Sequence, residues 1–155
     1  MKRFVVLSDS HGRINLTEKL GGLFAENDAI VHLGDGSTDM RPVFSLYPEK
    51  TYICRGNCDF FYGESEYIIE AEGVRIFCCH GHSYGVKSGL ERLATAAKEK
   101  DCTVALYGHT HIASIEKTDG VLCINPGSAG AYVNASYCYL VIHRGNVTPT
   151  IVPIY

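Results

Sequence analysis

Five short apolar runs in this chain each stop at a polar cluster, and that repetition constrains the fold more than any other feature. The runs cover residues 4–7, 29–33, 51–54, 74–79 and 103–107. They are short, and turn residues bound them, so they read as buried strands. Two helical spacings separate the first three runs. Leu16, Leu20, Leu23 and Phe24 recur at i, i+4, i+7 and i+8, and Met40, Val43, Phe44 and Tyr47 make a second face. Strands alternating with helices imply parallel pairing through right-handed crossovers.

The second half reads as mixed. Residues 66–70 and 74–79 flank a Glu72-Gly73 turn, and Leu90, Leu93, Ala94 and Ala97 mark a third helix. Residues 113–117 and 121–125 flank Thr118-Asp119-Gly120, whose Asp-Gly pair is a strong hairpin signal. Residues 137–142 and 147–152 flank Arg144-Gly145-Asn146 in the same way, and Pro149 and Pro153 confine the last strand to an edge. The prediction is an α/β fold of two packed sheets with helices outside. A chain of 155 residues without linker or repeat is read as one domain, residues 1–155.

Composition removes several classes of function. Hydrophobic residues are 46% and charged residues 20% of the chain, which excludes a disordered protein. Lys plus Arg number 14 against 17 Asp plus Glu, so no basic excess supports extended nucleic-acid binding. Only residues 4–7 come after the basic start, too few for a secretory apolar region, and no run approaches a membrane span. A cytoplasmic protein with reduced thiols is expected. Six of the seven Cys lie in apolar runs and read as small core residues. Cys58 sits in a polar turn. A zinc site of Cys54, Cys58, Cys78 and Cys79 is conceivable, although paired C-x-x-C knuckles are absent.

The residues that carry chemistry stand at the ends of the strands. Asp9 and His11 come after the first, Asp35 after the second, Asn57 after the third, His80 after the strand ending at Cys79, and His109 and His111 after the strand ending near Tyr107. Open α/β sheets bind ligands just beyond the carboxyl ends of their strands. Carboxylate, carboxamide and imidazole together suit two borderline divalent ions such as manganese, iron or zinc and disfavour calcium. Such a pair would leave the site positive and suited to a phosphate ester. The i, i+2 spacing of His109 and His111 places both on one side of an extended segment.

Asp9-Ser10-His11, Gly34-Asp35, Gly56-Asn57-Cys58-Asp59, His80-Gly81 and Gly108-His109-Thr110-His111 resemble, in order and spacing, the motifs of the calcineurin-like metallophosphoesterases. The small size, the Cys after Gly-Asn, and Asn125-Pro126-Gly127-Ser128 look like the YfcE-type phosphodiesterase branch. The resemblance implies a four-layer α/β/β/α sandwich. It implies that Asp9, His11 and His111 hold one metal, that Asn57, His80 and His109 hold the other, and that Asp35 bridges them. A bridging hydroxide would then attack phosphorus in line, between ions about 3.5–4 Å apart. The expected cofactors are two divalent ions, manganese first, with zinc, iron, nickel or cobalt as alternatives. The expected substrates are small organic or nucleotide phosphodiesters. A phosphomonoesterase and a non-catalytic scaffold of the same fold are the alternatives, and relatives are often dimers or larger.

One position departs from the family. Most relatives place a proton-donating His where this chain has Cys58. Either the thiol is a weak acid or lines the site, or catalysis relies on metal clamping and favours esters with good leaving groups. Plainer roles stand beside these assignments. Asp9 and Asp35 could cap turns, and Asn57 suits a left-handed turn. His82 touches phosphate or is polar loop, His32 inside a strand reads as a satisfied core histidine, and His143 reads as solvated. Arg55 steadies an anionic substrate or is surface charge. Phe60, Phe61 and Tyr62 form core, a subunit contact or an aromatic wall. Gly127 and Ser128 make a tight turn near the site.

Overall fold

The computed structural model describes residues 1–60 and 62–155. Phe61 therefore lies outside the described residues. Among the described residues, ten strands form two five-stranded sheets. The first has the order β10-β9-β1-β2-β3, built from β1 (Lys2–Leu7), β2 (Ala29–His32), β3 (Thr51–Ile53), β9 (Ser136–His143) and β10 (Asn146–Pro153). The second has the order β4-β5-β6-β8-β7, built from β4 (Glu66–Ala71), β5 (Val74–Cys79), β6 (Val104–Leu106), β7 (Ser114–Thr118) and β8 (Val121–Asn125). The helices are α1 (Leu16–Glu26), α2 (Arg41–Leu46) and α3 (Glu91–Glu99).

Alternation along the strands builds the layers. Phe4 and Val6 of β1 point into the space between the sheets, where they meet Ile76 and Cys78 of β5, Leu106 of β6 and Leu140 of β9. Val5 and Leu7 point the other way, onto Leu16, Leu20 and Phe24 of α1 and Val43 of α2. Phe77 and Cys79 of β5 and Ala105 of β6 meet Leu93, Ala94 and Ala97 of α3 on the far side. This is the α/β/β/α sandwich that the motifs imply.

Local chemistry places the boundaries. Asn15 caps α1 by accepting a 3.1 Å bond from the Glu18 N–H. β1 pairs parallel with β2, and β2 with β3, as the helical crossovers require. The three hairpin turns hold Glu72-Gly73, Asp119-Gly120 and Arg144-Gly145, with both residues at positive φ in each. β10 is an edge strand, as Pro149 and Pro153 demand. Phe44 departs from the helical reading, since it is 40% exposed while Met40 and Val43 are buried. A short 3-10 turn, Ser37–Met40, precedes α2, so residues 40–47 do not form one continuous helix face. No helix among the described residues is long and apolar enough to cross a membrane.

Candidate metal centre

Both sheets end at the same place. Asp9 and His11 lie just past β1 and Asp35 past β2, while His80 lies past β5, and His109 and His111 past β6. Ligating atoms of Asp9, His11 and His111 lie within 4.8 Å of one another, as do those of Asp35, His80 and His109. A third group joins His11, Asp35 and Cys58. Asp35 therefore lies between the two imidazole sets, with Oδ2 3.2 Å from His80 Nε2 and 4.0 Å from His11 Nε2.

Each carboxylate is tied on one oxygen and open on the other. Asp9 Oδ2 accepts from the Ser8 hydroxyl at 2.5 Å and from the His109 N–H at 3.0 Å. Its Oδ1 faces His111 Nε2 at 3.2 Å, His11 at 3.6 Å and His80 at 3.9 Å. Asp35 Oδ1 accepts from the Cys58 N–H at 2.7 Å. The His80 Nδ1–H donates to the Leu33 carbonyl at 2.7 Å, which leaves Nε2 as the nitrogen able to accept a metal ion. Asp9 Oδ1 and His80 Nε2 are buried and have no hydrogen-bond partner. Unpaired buried polar atoms are costly. Two of them aimed into one space, beside His11 and His111 nitrogens 3.2 Å apart, are what a bound cation would resolve. The donors therefore fit divalent ions.

The backbone is bent to deliver these side chains. Asp9, His11, Asp35, His109 and His111 all have positive φ, between 50° and 70°. Non-glycine residues rarely adopt that region, and when they do they concentrate at functional sites. His109 and His111 thus sit in a left-handed turn, and they divide between the two sets rather than sharing one side of an extended segment. Gly34 has φ 105°, and a Cβ there would fall 2.6 Å from the Gly56 nitrogen. The second and third motifs can approach only because that side chain is missing.

These contacts set the charge of each group. Burial opposes ionisation of Asp35, but His80 and the Cys58 N–H outweigh it and hold the carboxyl far below the usual range. Burial alone would keep His80 neutral, and the neighbouring Asp35 and Asp9 carboxylates reverse this and raise its pKa. Burial and the nearby His80 lower the pKa of both His82 and His109. The Cys58 thiol is pushed up by partial desolvation and the Asp35 charge.

The whole-chain comparison agrees with this geometry. A family model described as the calcineurin-like phosphoesterase superfamily domain matches residues 1–146. The chain belongs to the calcineurin-like phosphoesterase superfamily. The probable metallophosphoesterase YsnB of Bacillus subtilis is 36% identical over 130 residues, spanning 80% of this chain and 73% of that protein. The phosphodiesterase YfcE of Escherichia coli is 29% identical over 153 residues, spanning 83% and 79%. A solved predicted phosphoesterase of Streptococcus pneumoniae superposes with a TM-score of 0.82 at 27% identity, over 99% of this chain and 92% of that one. Zinc-complexed Vps29 of Entamoeba histolytica gives a TM-score of 0.78 at 21% identity, over 97% and 98%, and shares the fold.

Other expected site residues of this calcineurin-like chain lie at varied distances from the centre. Asn57 is exposed on the same loop as Cys58, its amide 3.6 Å from the thiol sulfur. His82 is exposed, and its ring centroid lies 5.3 Å from that of His80. His32 is fully buried and satisfied: its Nδ1 accepts from the Gly34 N–H at 3.1 Å, and its Nε2–H donates to Ser10 Oγ at 2.9 Å. His143 is exposed. Ser128 Oγ donates to the Asp9 carbonyl at 2.7 Å, so the Gly127 turn does approach the site. A four-cysteine zinc site is not formed among the described residues. Cys78 and Cys79 point to opposite faces of β5, and Cys58 lies with His11 and Asp35 instead. Tyr62 packs on the core beside α2 and lines a separate cavity with Phe44 and Tyr67, so it is no wall of the centre.

Sequence reasoning missed the role of Asp59. Its carboxylate accepts from the N–H groups of Asp35, Gly36, Ser37 and Gly56 at 2.8–3.1 Å. Burial opposes its charge, but those four donors prevail and lower its pKa. Asp59 thereby ties the Asp35 loop to the Asn57 loop.

Proposed function

We propose that this calcineurin-like protein is a dinuclear metal-dependent phosphodiesterase acting on small phosphodiesters in the cytoplasm. One observation carries the reading: two donor sets face each other across Asp35, with the buried Asp9 Oδ1 and His80 Nε2 lacking partners between them. Asp9, His11 and His111 would hold one ion, and Asn57, His80 and His109 the other, with Asp35 shared. Such ions supply Lewis-acid charge to the phosphoryl oxygens and acidify the attacking water. Tied carboxylate oxygens and the oriented His80 ring keep the donors in place, so binding needs little rearrangement. Cys58 and His82 flank the open side, where the leaving alcohol needs a proton or a hydrogen bond. All seven thiols are free, which suits a reducing compartment.

The test is hydrolysis of bis(p-nitrophenyl) phosphate by metal-stripped protein titrated with manganese, nickel or cobalt. Stimulation is expected, with the diester turned over faster than p-nitrophenyl phosphate. No stimulation in a folded protein would overturn the enzyme reading and favour a scaffold. A faster monoester would make the protein a phosphomonoesterase.

A further inference from the structure

One cavity opens directly beside the centre. Its volume is about 190 Å³, and its lining includes Arg55, Ser65, Glu66, His80, His82 and Tyr84. His80 is shared: Nε2 faces Asp35, and the ring forms part of the cavity wall. A group seated there would adjoin a phosphorus held at the metal centre. Drug-sized sites run to about 300–1,000 Å³, so this one suits a short organic arm rather than a nucleoside.

Charge decides what kind of arm. The Glu66 carboxylate is already answered: Tyr84 Oη donates to Oε2 at 2.9 Å, and Lys100 Nζ lies 3.8 Å from Oε1. The half-buried Arg55 has no ion pair among the described residues. Its backbone is fixed, since its N–H donates to the Glu64 carbonyl at 2.7 Å. The wall therefore carries one uncompensated positive charge on a planar fork suited to carboxylate or phosphate. Ser65 and His82 line the same cavity.

We propose that Arg55 is a specificity-determining residue that selects phosphate esters whose short organic arm carries a second anionic group. The inference rests on the phosphoesterase reading and names the substrate class of that same centre. A small anion such as phosphoglycolate would place its phosphate at the metals and its carboxylate on Arg55.

The experiment compares 2-phosphoglycolate with methyl phosphate, both as inhibitors of bis(p-nitrophenyl) phosphate hydrolysis and by calorimetric titration of the manganese-loaded protein. A charge-assisted bidentate contact predicts tighter binding of phosphoglycolate by about tenfold. Arg55→Ala should reduce that preference to within about twofold, and Arg55→Lys should keep part of it. A preference that survives Arg55→Ala would overturn the assignment, because the carboxylate would then be held elsewhere. An equal loss for both anions would also overturn it, placing Arg55 on the phosphoryl group instead. Arg55→Gln serves where the alanine variant fails to fold. Absence of hydrolysis alone counts against the phosphoesterase reading, and calorimetry on the loaded protein still decides the role of Arg55.

Discussion

Asp59 touches none of the candidate ligand side chains, yet four backbone N–H groups end on its carboxylate. Asp59→Ala should destabilise the metal-free protein by about 2 kcal/mol in urea titrations, a figure kept low because the loop is half-exposed. Metal affinity should fall about 10–100-fold, as when a supporting contact behind a ligand is lost. The depressed Asp59 carboxyl stabilises the fold above the ordinary aspartate value of 3.8, and this contribution disappears as pH falls below it. His32 acts over a higher window. Burial lowers its pKa from 6.5 to about 4, against the pull of Asp9 and other carboxylates. The unfolded chain binds that proton first, so stability is complete above pH 6.5 and falls by up to about 3 kcal/mol towards pH 4. His32→Gln should flatten this part of the urea-midpoint profile. The satisfied state of His32 was legible because it interrupts an apolar run. The role of Asp59 was not, because its partners are backbone atoms of other loops and carry no side-chain signature.

At the level of elements, both sheets deliver candidate ligands on loops leaving their strands. Asp9, His11, Asp35 and Asn57 come from the first sheet, and His80, His109 and His111 from the second. The seam between the sheets is close at Gly108, where an added Cβ would collide with Ser8 Oγ and lie 2.7 Å from Asp9 Oδ2. Gly108→Ala should therefore cost about 1–3 kcal/mol and weaken metal binding through the displaced Asp9. Thermal melts with and without manganese separate the two effects. The strands, the three hairpin turns and the edge position of β10 were readable, since period, Asp-Gly pairs and prolines are local signals. The neighbour order β6-β8-β7 was not readable, because pairing β6 with β8 skips the intervening strand and depends on long-range packing. The left-handed turn at His109 and His111 also escaped a reading based on spacing alone, because positive φ in a histidine has no sequence mark.

For the molecule as a whole, the ions would add to the apolar packing and the few hydrogen bonds, such as His80 to the Leu33 carbonyl, that already join the two sheets. Manganese at about one hundred times its dissociation constant should add about 2.7 kcal/mol, a rise in Tm of about 5–10 °C for a chain this size. Scanning calorimetry with manganese and with a chelator checks this, and Asp9→Asn should remove most of the rise.

The strand order also has a bearing on synthesis. β1 lies between β2 and β9, so the strand that leads into Asp9 has neighbours from both ends of the chain. Every candidate ligand has been translated by His111, but β9 begins only at Ser136, and Ser128 must arrive before its hydroxyl can hold the Asp9 carbonyl. A nascent chain thus possesses all its candidate metal ligands while the floor beneath Asp9 is still unlaid. Residues 112–155 supply no candidate donor, yet they carry the strand and the hydroxyl that hold Asp9 in place.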